Sequence, residues 1–350
     1  MKPYNFYAGP SILDPAVIHA ANRALDNTND LSILERSHRG KEVQTLFSQT
    51  KSMLKELMQL SDDFEILFLH GGARLQNCMV PYNICTKSSA NYIDTGIWST
   101  KSFEESVLIR DSKIIASSAD KHYSYIPKEL NWDGQGYLHI TTNNTIHGTQ
   151  FHNFECTSQG VVVADMSSDI LSREMNFKAF GLIYAGLQKN LGTAGGTLVI
   201  IKKELLEDLP KVPSMLNYKL HVKNDSMLNT PPVFAVLMCK LVLDWMQKEG
   251  GLTAIENRNK HKSALLYDAI DSLDAFEGFA QKEDRSLMNV TFKLNDSSRE
   301  ESFNLLLKQE NIIGLNGHRS KGGYRASLYN QLPLTHVEHL VKVMRKFSQM

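Results

Sequence analysis

Gly181-Leu-Ile-Tyr-Ala-Gly-Leu-Gln-Lys-Asn-Leu-Gly192 joins an apolar run to a short turn that holds a single lysine, and then continues into Gly-rich sequence. An apolar run of this length bounded by glycines predicts a buried strand, with Lys189 just behind its carboxyl end. A lysine placed there can trap an aldehyde as a Schiff base, the attachment that a pyridoxal phosphate (PLP) cofactor uses. Its neighbours Gln188 and Asn190 can hydrogen-bond a ligand without adding a competing nucleophile. The plainer alternative is a solvated loop lysine, because most lysines are exposed.

The 350 residues are 42% hydrophobic and 22% charged, which predicts a soluble globular protein large enough for two domains. Thirty-eight basic residues balance thirty-eight acidic ones, so there is no electrostatic footprint for nucleic acid or an anionic membrane. Cys78, Cys85, Cys156 and Cys239 are scattered, with no C-x-x-C pair, and read as free thiols of a reducing compartment, the cytoplasm. The first ten residues have neither the apolar core of a signal peptide nor the Arg/Ser bias of a transit peptide. No apolar run approaches the ~20 residues of a membrane span. His336 and His339 stand at helical i, i+3 spacing without a third metal ligand, so they read as a surface pair on the last helix and no metal is expected.

Apolar residues from Val43 to Leu60 recur at helical spacing. Phe64–Leu69 suits a buried parallel strand entering the Gly71-Gly72 turn, and residues 73–83 follow as a helix. Further strand-length runs at 90–93, 137–141, 160–164, 181–185 and 197–201 predict a mostly parallel α/β sheet. After the turn-rich segment 224–232, residues 233–247 read as an apolar helix and 252–273 as a long helix that bridges to a second unit. That unit alternates a strand at 287–294, a helix at 299–309, a strand at 324–329 and a helix at 335–347 opened by the capping box Thr335-x-x-Glu338, an α+β pattern.

His70-Gly71-Gly72-Ala73-Arg74 lies where a strand turns into a helix, so free N–H groups and the helix dipole can bind an anion such as a phosphate. It matches neither G-x-G-x-x-G nor the P-loop, and a simple turn is the alternative. Asp165 ends the apolar run at 160–164, where open α/β sheets place ligand contacts; a buried carboxylate there needs a cationic partner, such as a protonated pyridine nitrogen. A helix N-cap is the other reading of Asp165. Asp165 and Lys189 end neighbouring apolar runs and can reach one ligand from adjacent strands.

Asp-x-Ser-Ser-x-x-x-Ser-Arg at Asp165 to Arg173, followed by Tyr184-Ala-Gly-x-Gln-Lys-Asn190, resembles the core of the phosphoserine aminotransferase family, class V PLP enzymes of fold type I. The resemblance extends over nearly the whole chain: Asn5-Phe6, Gly9-Pro10, Ser37-His-Arg-Gly-Lys41, His70-Gly-Gly72, Asn229-Thr-Pro-Pro232, Gly317-His-Arg319 and Gly322-Gly-x-Arg-Ala-Ser327. It implies the PLP-dependent transferase fold type I. Residues 1–15 would form an N-terminal segment packing with the small domain, 16–255 a large PLP-binding domain with a mainly parallel central sheet, and 256–350 a smaller α+β C-terminal domain. It also implies a homodimer with active sites at the subunit interface.

By the same resemblance Lys189 would hold PLP and later move the proton, and Asp165 would pair with the pyridinium. Trp98 would stack on the ring and Thr145 would hydrogen-bond the cofactor. Ala73, Arg74 and Gln188 would bind the phosphate, with Asn229 and Thr230 joining from the neighbouring subunit. Arg325 would hold the substrate α-carboxylate, and His38, Arg39, His318 and Arg319 the distal phosphate or γ-carboxylate, His38 and Arg39 coming from the partner chain. The substrates implied are glutamate, phosphoserine, 2-oxoglutarate and 3-phosphohydroxypyruvate, in serine biosynthesis, with the phosphorylated four-carbon analogue of the pyridoxine pathway, 4-phosphohydroxythreonine, as a further substrate. Ala8 stands where many family members have serine, and Asn144 and His147 replace acidic residues of the Thr145 loop.

Two alternatives remain open on the sequence. One is a different class V enzyme, another aminotransferase or a desulfurase, the latter needing a mobile nucleophilic cysteine that neither Cys239, inside an apolar helix, nor Cys78, just inside the helix after the Gly71-Gly72 turn, offers. The other is a non-catalytic dimer that uses the Gly-rich turn to bind an anion. A PLP enzyme should be yellow, and borohydride should bleach it with a mass increase on Lys189; colourless protein that refuses added PLP would favour the anion-binding dimer.

Overall fold

The computed structural model describes residues 2–26 and 30–350, so Met1 of the N-terminal segment lies outside the described residues. Along the chain run β1 (Tyr4–Asn5), α1 (Pro15–Leu25), α2 (Lys41–Leu57), β2 (Phe64–Leu69), α3 (Gly72–Asn83), β3 (Ala90–Asp94), α4 (Ile97–Val107) and β4 (Ser112–Ser117). β5 (Tyr137–Thr141), β6 (Asn143–Asn144), β7 (Thr149–Gln150), β8 (Val161–Asp165), β9 (Leu182–Gly186), β10 (Thr197–Lys202), α5 (Tyr218–Lys223) and α6 (Val233–Lys248) follow. The last part holds α7 (Gly251–Ser272), β11 (Phe276–Gly278), β12 (Asn289–Leu294), α8 (Glu300–Gln309), β13 (Ile312–Ile313), β14 (Tyr324–Ser327) and α9 (Leu334–Ser348).

Seven strands form one sheet in the order β2-β10-β9-β8-β5-β3-β4. β9, β8, β5, β3 and β4 are mutually parallel, as the alternating pattern predicts. β10 runs against both β9 and β2. The cause is chain length: residues 187–196 connect β9 to β10, too few for the crossover of a dozen or more residues that a parallel return requires. β2 was expected as a parallel strand, and it does point the same way as β9, yet its one partner is the antiparallel β10 at the sheet edge. β4 escaped the periodicity reading because it is the opposite edge, with a half-exposed pattern and no apolar run.

Side chains alternate between two cores across this sheet. Ile66, Phe68, Leu138, Ile140, Val162, Ile183, Leu198 and Ile200 pack with α1, α2 and α6 on one face. Leu67, Tyr92, Tyr137, Val163, Tyr184, Val199 and Ile201 pack with α3 and α5 on the other. α2 buries Val43, Leu46, Phe47, Thr50 and Leu54, one stripe at helical spacing. It stops short of the expected Leu60 because Gln59 turns left-handed at φ 52° and the Leu60 N–H closes back on the Lys55 carbonyl at 2.9 Å.

A third core gathers Phe6, Leu266, Ile270, Val290, Phe292, Phe303, Leu340, Met344 and Phe347 around the antiparallel sheet β11-β12-β14. The N-terminal strand β1 joins it by pairing with β13, Tyr4 opposite Ile312. The expected capping box on α9 does not form: the helix begins one residue earlier, behind Pro333, so Thr335 lies inside the first turn and no side chain caps it. His336 and His339 are not a free surface pair either, because Tyr4 covers them, its ring stacked 4.0 Å from His339 and edge-on 5.1 Å from His336.

Polar side chains join this core to the large sheet. Asn143 donates to Asn289 and to Ser168, each at 2.8 Å, and Asn289 donates to Ser327 at 3.0 Å. Within this core, the buried Lys262 side chain of α7 donates to the carbonyls of Leu328 and Tyr329, both at 2.8 Å. Inside the large sheet, His139 of β5 is buried against Tyr92 and bonded to the Tyr184 hydroxyl at 2.9 Å. Burial pushes its imidazole pKa down from 6.5 to about 3. The folded state therefore binds fewer protons than the unfolded chain, and stability present above about 6.5 is lost as pH falls toward about 3. We expect the denaturation midpoint to fall between pH 7 and pH 5, His139 contributing about 2 kcal/mol, and His139→Gln to flatten that slope whatever it does to absolute stability.

Candidate active site

Strand polarity brings the site residues together. The carboxyl ends of β8 and β9 deliver Asp165 and the turn after Gly186, while the starts of α3 and α4 deliver the glycine cup and Trp98. β14 and the loop before it add Arg325 and His318 from the other core. These elements enclose a cavity of about 610 Å³ lined by Ala8, Gly9, Gly71, Gly72, Ala73, Arg74, Trp98, Thr145, Asp165, Gln188, Lys189, His318 and Arg325, among others. That volume suits a small-molecule ligand.

Lys189 is not the solvated lysine of the plain alternative. Burial lowers its ammonium pKa, Asp165 opposes that shift, and Arg325 adds to it. Asp165 shows the mirror image: burial raises its carboxyl pKa, while Lys189 and Ser167 oppose the rise, the Ser167 N–H donating at 2.9 Å. Each is the other's chief counter-charge in a pocket that penalises both. Asn190, expected to face a ligand, does not. It is buried, its amide donating to the Ile170 carbonyl at 3.2 Å and its oxygen accepting from the Asn330 N–H at 3.2 Å, so it is a brace behind Lys189.

The cup depends on backbone conformation. Gly71 and Gly72 both have positive φ, 86° and 64°, which favours glycine. A Cβ on Gly71 would lie 2.6 Å from Leu75, whereas one on Gly72 would meet nothing within 4 Å, so only its backbone angle calls for glycine there. α3 starts at Gly72 and presents its unpaired first N–H groups to the cavity, with Ala73 and Arg74 beside them. Gln188 folds toward the same place, its side-chain oxygen lying 2.9 Å from where a Gly186 Cβ would be and Ala73 3.5 Å from it.

On the opposite wall, the Trp98 indole donates to the Thr145 hydroxyl at 3.1 Å, and the Lys189 ammonium lies 6.0 Å from the indole centroid. Arg325 donates to the Thr145 carbonyl at 3.2 Å and leaves its buried Nε without a partner. A guanidinium with unspent donors on a cavity wall is suited to a carboxylate. Taken together, an anion cup, a half-buried carboxylate, a half-buried amine and an indole face fit PLP. Asn229, Thr230, His38, Arg39 and Arg319 do not line this cavity; Asn229, Thr230, Arg39 and Arg319 are exposed, and the Thr230 carbonyl instead pairs with His70 at 2.7 Å. Ser167, Asn143 and Lys101 also line it. Ser167 was visible in the Asp-x-Ser-Ser motif, but neither an asparagine in a polar stretch nor a lysine on a surface helix carries a local signal.

The sequence profile described as Aminotransferase class-V matches residues 3–340. The chain belongs to the class V aminotransferase family, and like that family it is a PLP-dependent aminotransferase. It is 48% identical, over 99% of its length and 98% of the relative's, to the phosphoserine aminotransferase of Flavobacterium johnsoniae. A solved phosphoserine aminotransferase studied for radiation damage of its Schiff base superposes with a TM-score of 0.96 at 44% identity, covering 100% of this chain and 99% of the other. The PLP-bound phosphoserine aminotransferase of Trichomonas vaginalis superposes with a TM-score of 0.92 at 33% identity over 98% of this chain and 100% of its own. Within class V, these likenesses place the chain in the phosphoserine aminotransferase group.

A desulfurase would need a reactive thiol here. Cys239 is buried with its thiol pushed up to about 12, Cys78 is raised by burial, and neither lines the cavity. Because Asp165 holds the Lys189 ammonium pKa up, Asp165→Asn should move the pH midpoint of aldehyde trapping at Lys189 down, read by mass after borohydride reduction across a pH series.

Proposed function

We propose that this aminotransferase moves an amino group between phosphoserine and 2-oxoglutarate, giving 3-phosphohydroxypyruvate and glutamate, and that in the cell the reverse direction serves L-serine synthesis. The observation that carries the reading is the pair of anion-binding walls around Lys189: Arg325 with unspent donors on one side, and His318 at the mouth beside it. Both substrates carry an α-carboxylate and a distal anion, so one arrangement of cations serves each in turn.

When bound, PLP supplies the electron sink for the Cα–H bond that must break. The Asp165 carboxylate, to which the Ser167 N–H donates, would pair with the protonated ring nitrogen. Lys189 Nζ takes the proton from substrate Cα as a neutral amine, a form that burial and Arg325 favour. Arg325 grips the α-carboxylate, and the loop bearing His318 and Arg319 meets the distal phosphate or γ-carboxylate. Trp98 and the glycine cup keep the ring and phosphate fixed while the proton moves.

Residues 38, 39, 229 and 230 fit this scheme as contributions from a second copy of the chain. Exposed apolar side chains near the first pair, Leu31 at 57% and Leu34 at 49%, support a homodimer with shared sites. Free cysteines and the absence of any long apolar helix among the described residues are compatible with a cytoplasmic enzyme. The large unit would end and the small one begin near residue 255, inside α7.

Lys189→Ala should keep the fold and the dimer and lose steady transamination; near-wild-type turnover with glutamate would sink the assignment. Phosphoserine should exceed unphosphorylated serine in kcat/KM by roughly 10⁴-fold, the scale at which a site built for a polar group rejects an analogue that lacks it.

A further inference from the structure

The loop that carries His318 is a closed hoop. Its neck is Gly317 and Gly323, joined by a hydrogen bond from the Gly317 N–H to the Gly323 carbonyl at 2.8 Å. A Cβ on Gly317 would lie 2.0 Å from the Gly322 carbonyl oxygen, and one on Gly323 would lie 2.7 Å from that of Phe292, so neither position admits a side chain. Inside the hoop the His318 carbonyl accepts from the N–H groups of Lys321 and Gly322, both at 2.9 Å, and the His318 ring bonds Ser320 at 2.8 Å. The histidine is thus fixed relative to its own loop. The neck, however, ties the hoop to the β12-β14 core, while much of the cavity wall, from the glycine cup through Asp165 to Lys189, belongs to the large sheet and its connections.

Lys321 reaches from the hoop across that gap, as Arg325 does beside it by donating to the Thr145 carbonyl. Lys321 Nζ donates to the His122 carbonyl at 3.1 Å, with the ammonium 4.9 Å from the centre of the Phe279 ring. His122 lies in a turn with two left-handed residues, His122 at φ 52° and Tyr123 at φ 61°. The turn is itself anchored, because the Tyr123 hydroxyl donates to Asp94 at 3.1 Å, and Asp94 also accepts from Thr100 at 2.9 Å in the helix that bears Trp98. A continuous path therefore runs from the Trp98 helix through Asp94 and the 118–123 turn to Lys321 and the His318 hoop.

We infer that Lys321 is a positioning residue, a clasp across the cavity mouth that fixes His318 where the distal anion of the substrate binds. The clasp sets the place of His318 before substrate arrives, and that advance ordering is what lowers the cost of binding. Its effect falls on binding of the doubly anionic acid rather than on proton movement at Lys189. The inference rests on the proposed use of His318 for the distal anion.

The test uses PLP-loaded wild type, Lys321→Met and Lys321→Arg. Two readouts are taken, the rate of tryptic cleavage after Arg319 and the KM and kcat for phosphoserine. Lys321→Met should be cut several-fold faster and show KM raised about five-fold, the size expected for one lost hydrogen bond, with kcat within about two-fold and the cofactor absorbance unchanged. Lys321→Arg, which can still donate to the carbonyl and lie on Phe279, should restore both. Lys321→Met with an unchanged cleavage rate shows that no clasp exists, and one with faster cleavage but unchanged KM shows that the clasp does not position the site; either result overturns the inference. A wild type that turns over glutamate but not phosphoserine would instead defeat the proposed substrate, leaving the cleavage rate to judge the clasp.

Discussion

The connection over residues 187–196 is too short to carry the chain back across the sheet, and the rest of the site depends on that constraint. Because β10 must reverse beside β9, the turn between them stays at the carboxyl edge, where Lys189 meets Asp165 from the adjacent parallel strand. The turn is held from several sides: the Leu187 N–H bonds the Gly196 carbonyl at 3.1 Å, the Ser11 N–H bonds the Gln188 carbonyl at 2.9 Å, and Asn190 braces against Asn330. A flexible lysine side chain thereby acquires a fixed root. Its amine is then tuned by two fixed charges, Asp165 and Arg325, in a pocket where burial strengthens both effects.

The cavity has walls from two separately packed cores, so its geometry depends on how firmly they are joined. Buried amides and hydroxyls do this rather than apolar contact alone: Asn143, Asn289 and Ser327 link the sheet's carboxyl edge to β12 and β14, and Tyr329 donates to the Ala8 carbonyl at 2.7 Å beside the cavity. Such a network is directional, and leaving one member unpaired in the interior would cost more than the bond contributes. Lys262 of α7 supports the small-core side of this junction. Its amine, whose pKa burial and Arg258 push well below the usual lysine value, donates to two carbonyls and fixes the chain just beyond Arg325. Arg325 thus reaches the cavity from a strand tied to the large sheet's carboxyl edge through Ser327, Asn289 and Asn143.

Much of this was legible in the chain because the local signals agreed. The apolar runs at 64–69, 137–141 and 181–185 became β2, β5 and β9 with bounds shifted by at most one residue, and the helix at 233–247 became α6. Edge elements were less legible: β4 has no apolar run because one side of it faces water, and Thr335-x-x-Glu338 looked like a cap only until Pro333 took the start of the helix. Asn190 looked like a ligand contact because an asparagine beside a reactive lysine reads the same whether it faces a cavity or the interior. Only the position of Asn330, far along the chain, decides which.

The sequence by itself determined the residue chemistry: an amine, a carboxylate, a glycine cup with an adjacent arginine, and His-Arg pairs, each set at the end of a predictable element. Those features are local, since period and turn residues act over a few positions. The tertiary structure decided which of these groups share a cavity. It gathered Lys189, Asp165, Trp98, Arg325 and His318, left His38, Arg39, Asn229 and Thr230 outside the wall that this chain builds, and brought Lys321 to a carbonyl on the far side of the mouth. The physical reason is that strand order and the packing of one core against another are long-range. They depend on connection lengths and buried partners that no single stretch of the chain contains.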